Sequence, residues 1–136
     1  MIKSGAQKKR TLAQIDGFRA AMERARRESF RKRRAVIVKS YQSMIEQLEA
    51  EVAEYDLLKA GRIKIPLIDR LDQVAPVVTR IRIAKGVSQT ELAKRLGVTK
   101  QLIHRYEESD YQTLGIAKLQ QVLDTLGVVV RTKMSA

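Results

Sequence analysis

The sequence predicts an all-α protein, and three observations carry that prediction. No proline occurs before Pro66 and no glycine lies between Gly17 and Gly61, in a stretch dominated by good helix formers. Apolar residues recur at steps of three and four rather than two. Two capping residues, Ser88 and Thr99, flank Gly97, which suits a sharp turn between two short helices. A short C-terminal β-strand is the one expected exception.

The first apolar set is Leu12, Ile15, Phe18 and Met22, and the second is Ile37, Tyr41, Met44, Leu48, Val52, Tyr55 and Leu58. Each falls on one face of a helix. The acidic Glu46, Glu49, Glu51 and Glu54 lie mostly off that stripe. Two arrangements satisfy the pattern. One is a single long helix in an intermolecular coiled coil. The other is an antiparallel hairpin turning near residues 27–29, with Ser29 capping the second helix. The hairpin is preferred because its two apolar faces bury each other within one chain.

Composition narrows the function. Hydrophobic residues make up 44% and aromatics only 4%, with no Trp, so any core is aliphatic. The formal charge is +12, which favours a polyanionic partner, since basic side chains displace counterions from phosphates. Residues 1–34 hold 12 Lys/Arg against 3 Asp/Glu, residues 35–62 hold 3 against 5, and residues 63–136 hold 12 against 7. The densest block is Arg24, Arg26, Arg27, Arg31, Lys32, Arg33 and Arg34. With no Cys, thiolate zinc sites, disulfides and Cys nucleophiles are excluded. The single His, His104, has no evident carboxylate partner, and no Gly-rich phosphate loop occurs. An enzyme is not expected, nor is a metal or cofactor. No signal-like or membrane-spanning stretch is visible, so a cytoplasmic, nucleoid-associated protein is expected.

Around Gly61-Arg62-Ile63-Lys64-Ile65-Pro66 the helical pattern breaks. Gly61 suits a helix C-cap and Pro66 a new first turn. This places a basic helical extension at 1–63 and a second domain at 64–136. A short helix is predicted through Leu67, Ile68, Leu71 and Val74. Pro76 then kinks it or starts the next helix, which carries Val77, Val78, Ile81 and Ala84 and stops at Gly86.

Ser88 with Glu91 forms a capping box for a helix whose inner face is Leu92, Ala93 and Leu96. Gly97 makes the turn, Val98 staples it, and Thr99 caps a helix with Ile103 and Tyr106 turned inward. Ala93 and Ile103 meet where the helices cross, which demands a small residue at 93. Thr99, Lys100, Gln101, His104 and Arg105 then point outward. Gln can pair bidentately with adenine and Lys can donate to guanine, so this face fits a major groove. Exposed amides at each helix start can hold phosphates.

This segment resembles the Cro/repressor-like helix-turn-helix family. The matching residues are Gln89, Glu91-Leu92-Ala93, Leu96-Gly97-Val98, Ile103 and Arg105-Tyr106-Glu107, within a stretch from about Pro76 to Val129. The resemblance implies a bundle of about five helices, a recognition helix beginning near Lys100, and a two-fold operator read by a dimer. It also implies that Gln89 contacts a phosphate and buttresses the recognition helix. Lys100, Gln101 and His104 would face base edges, and Thr99 and Arg105 the backbone. With the cap Ser88, these form the candidate DNA-contacting set. The segment 113–127 looks like the family's last helix, with Thr113 as cap, Ile116, Leu119, Leu123 and Leu126 as its buried stripe, and Gly127 as its stop.

Val128-Val129-Val130-Arg131-Thr132 reads as a strand. It either pairs with its copy in a homodimer, as in antitoxin relatives of the family, or packs on its own domain. The chain is therefore expected to be a dimeric duplex-DNA-binding repressor. The resemblance extends to the antitoxin of a toxin–antitoxin pair, with the N-terminal helices supplying dimerisation or a face that contacts the toxin. The alternatives are a bridging protein that uses this fold for protein contacts, and RNA binding through the Arg-rich block.

Overall fold

A computed structural model describes all 136 residues. It contains helices and no strand. The chain divides into two compact units, residues 1–57 and 58–136. No helix is long and apolar enough to cross a membrane.

The first unit is a helical hairpin: α1 spans Gly5–Ala25 and α2 begins at Arg31 and runs to Lys59. Ser4 starts α1, its hydroxyl accepting from the Gln7 N–H at 3.2 Å. The choice left open by periodicity is thus resolved for the hairpin. Ile15, Met22 and Ile45 form its buried centre, with Phe18, Val38, Tyr41, Leu48 and Val52 packed around them. The Phe18 and Tyr41 rings lie 5.9 Å apart. Lys8 pairs with Asp56, and Arg19 with Glu49, across the two helices.

Five of the seven expected α2 positions, Tyr41, Leu48, Val52, Tyr55 and Leu58, are buried or half-buried, and two shift by one residue, from Ile37 to Val38 and from Met44 to Ile45. Val38, Tyr41, Ile45, Leu48 and Val52 face inward, whereas Met44 is 43% exposed, as is Leu12 on α1. The inward positions alternate steps of three and four, the 3.5-residue repeat of closely paired helices. Ser29 does not cap α2. The Phe30 carbonyl accepts the first helical bond from Arg34, and the Ser29 hydroxyl turns to Glu28, one residue too early to reach the helix amides.

The second unit carries four α-helices: α3 (Val78–Ala84), α4 (Gln89–Leu96), α5 (Lys100–Glu108) and α6 (Ile116–Thr125). Instead of a fifth helix through 67–74, two 3₁₀ turns stand at Leu71–Gln73 and Ala75–Val77. Pro76 supplies no N–H for a bond to residue 72 and restricts Ala75, so only i→i+3 bonds form, such as Val74 N–H to the Leu71 carbonyl. Val78, Ile81, Leu92, Ala93, Ile103, Leu119, Val122, Leu123 and Leu126 make one core with Tyr111, whose fully buried ring departs from the purely aliphatic core expected. On α6 the inward face includes Val122 rather than Ile116, which is 66% exposed. Thr113 does not cap α6: Gly115 holds that position, and the Thr113 hydroxyl bonds Ser109. Residues 128–136 form no strand, because no free sheet edge in the chain offers the ladder that a lone strand needs.

Candidate nucleic-acid interface

The paired helices α4 and α5 are built by local chemistry. The Ser88 hydroxyl accepts from the Glu91 N–H at 3.0 Å, and Thr99 accepts from Leu102 at 3.2 Å. The capping box is one-sided, since the Glu91 carboxylate is held by Arg95 at 2.9 Å instead of returning to the cap. Gly97 sits at φ +67°, in the left-handed region that a side chain resists. The Val98 N–H then bonds the Ala93 carbonyl, closing the turn. Ala93 and Ile103 are both buried where the helices meet.

With Ile103 and Glu107 taken into the interior, α5 exposes Lys100, Gln101, His104 and Arg105, and Thr99 at its cap is exposed too. Lys100 and Gln101 engage no other side chain. His104 does have a carboxylate neighbour, Glu108 one turn on, at 3.4 Å in a solvent-exposed pair. Ser88 is exposed at the start of α4, next to first-turn amides that have no intrahelical acceptor. Gln89 lies apart from the others: its side chain is 8% exposed and its amide donates to Glu107 at 2.7 Å. It braces α4 against α5 from within.

Beneath this surface lies a polar cluster that the sequence reading passed over. Arg82 is 3% exposed and Glu107 fully buried. The Arg82 guanidinium donates through two nitrogens to the Glu107 carboxylate and through a third to the Val87 carbonyl at 2.7 Å. Gln89 supplies another donor, and the Tyr111 hydroxyl approaches at 3.5 Å. The carboxylate therefore ties α3, the start of α4, α5 and the following turn to one point. A signal did exist. Arg82 stands between Ile81 and Ile83, and Glu107 follows Ile103 by one helical turn on the inward face.

Tyr111 is brought there at a backbone cost. Asp110 and Tyr111 adopt φ of +49° and +58°, unusual for residues with side chains and worth about 1 kcal/mol or more each. The fully buried phenol offsets that cost. Burial pushes the Tyr111 pKa up, and the neighbouring Glu107 carboxylate pushes it further. A raised folded-state pKa stabilises the fold below the ordinary phenol value of 10.0 and loses that contribution as pH rises past it. Tyr111→Phe is therefore expected to make the alkaline fall in stability shallower, read as denaturation midpoints between neutral pH and about pH 11. An unchanged slope would remove Tyr111 from the cluster.

A helix-turn-helix family model matches residues 78–129, from the first residue of α3 to just beyond α6. Over this segment the chain is similar to the Cro/repressor-like helix-turn-helix family. Within the matched segment, α4 and α5 correspond to the paired helices of such a motif. No curated protein and no solved structure matches the chain.

Proposed function

We propose that this chain is a sequence-specific duplex-DNA-binding transcriptional regulator, a dimeric repressor whose α5 enters the major groove. The observation that supports it most is the free face of α5. Lys100, Gln101, His104 and Arg105 are exposed on a helix whose opposite face is anchored by Ile103 and the Glu107 cluster. A rigid helix presenting an amide and two full cations suits base edges and phosphates together. Lys100 and Gln101 read bases, His104 assists, and Thr99, Arg105 and Ser88 meet the backbone. The backbone N–H of Gln89 holds a phosphate while its side chain buttresses α5. In this division of labour residues 64–136 bind DNA and residues 1–63 form a separate contact arm. By resemblance, that arm takes up a toxin in an antitoxin-type operon regulator. Dimerisation draws support from Leu71 and Ile116, which leave apolar area exposed on the second unit.

Selection of bound fragments from a random duplex pool tests this reading. The expected outcome is a two-fold motif with half-sites about 34–36 Å apart, bound with affinity that falls steeply with salt. Recovery of no common sequence would exclude a sequence-reading regulator.

A further inference from the structure

The hairpin concentrates its charge at one end. From the end of α1 through the turn into the first turn of α2, residues 24–34 carry Arg24, Arg26, Arg27, Arg31, Lys32, Arg33 and Arg34, with Glu28 as the one acid in that span. The rest of residues 1–57 holds 6 Lys/Arg against 7 Asp/Glu, so the whole positive excess of this unit sits at its tip. Of these cations, only Arg26 has a carboxylate partner, Glu23 at 3.0 Å. The Glu28 carboxylate is turned to Ser29 and the Phe30 N–H. All seven but the half-buried Arg34 are exposed.

This arrangement does nothing for the fold. Like charges repel, and four consecutive cations in the first turn of α2, where no acid stands, oppose the helix dipole. Elsewhere on the hairpin, charges are matched across the two helices, as in Lys8–Asp56 and Arg19–Glu49. Unmatched, solvent-facing guanidinium groups suit a row of phosphates, each able to take a bidentate contact.

We propose that the hairpin tip is a second DNA contact, which grips the phosphate backbone of a duplex without reading its sequence. The choice of duplex rests on the DNA-binding reading of the second unit; the polyanion chemistry of the tip does not. The full-length chain with Arg24→Gln, Arg27→Gln, Arg31→Gln, Lys32→Gln and Arg33→Gln tests it, since glutamine keeps helix propensity while removing charge. On a random-sequence duplex, the slope of log affinity against log salt is expected to become shallower by about 0.9 for each phosphate lost. Affinity near 0.1 M salt should fall about 100-fold or more. Base preference at a selected site should stay as it is. The same positions changed to lysine should retain binding within a few-fold, which separates charge from folding.

An unchanged slope in a chain of wild-type helicity would overturn the proposal. So would tighter binding of a single-stranded RNA of equal length, lost with the tip charges, which would make the tip an RNA site. Failure of the α5 reading looks different: Lys100→Ala with Gln101→Ala would leave base preference intact, while the tip effect persisted.

Discussion

Glu107→Ala is expected to lower the stability of the second unit by about 3–5 kcal/mol, the largest effect of any single substitution considered for this chain. The carboxylate is fully buried, and its removal leaves the Arg82 guanidinium, only 3% exposed, without its counter-charge. Gln89 loses its acceptor at the same time. Small domains are stable by about 5–15 kcal/mol, so the variant should be partly unfolded near physiological temperature. Its thermal midpoint should drop on the order of 15 °C or more. Arg82→Met combined with Glu107→Leu should recover about half of the loss or more, because no uncompensated charge remains inside. Urea unfolding of the three proteins measures both quantities. A Glu107→Ala loss under about 1 kcal/mol would show that the cluster does not hold α3, α4 and α5 together.

The second large effect falls on DNA recognition and leaves the fold untouched. Gln101→Ala and Lys100→Ala are expected to relax base preference by about 1–3 kcal/mol, each at its own base pair. Both side chains are exposed and hold nothing in place, so unfolding midpoints should move by less than about 0.5 kcal/mol. Arg105→Ala should behave differently. A phosphate contact weakens all sequences about equally and lowers the salt slope by roughly one. Affinities measured against a panel of single-base variants of the selected duplex distinguish the two patterns. If neither Lys100 nor Gln101 changes any position of the panel, α5 does not read bases.

The parts of this molecule that were legible in the sequence are those whose determinants lie within a few residues of each other. Ser88, Gly97 and Thr99 act on backbone groups one to three positions away, so the α4–turn–α5 unit and its outward face could be read directly. Gly127 ends α6 for the same reason, at φ +66°. Contacts between distant residues decided the rest. Periodicity marks a helix face but does not name its partner, which left hairpin and coiled coil both open until α1 packed on α2 around Ile15, Met22 and Ile45. The local pattern places Arg82 and Glu107 on inward faces, but that these residues, 25 positions apart, satisfy each other away from water is decided only by the packed fold. The block of seven cations was visible in the sequence, but the doubling back of the chain decided that it stands at the turn of a hairpin. Short-range hydrogen bonding and dihedral preference act before any fold exists; burial and charge pairing take effect only after it.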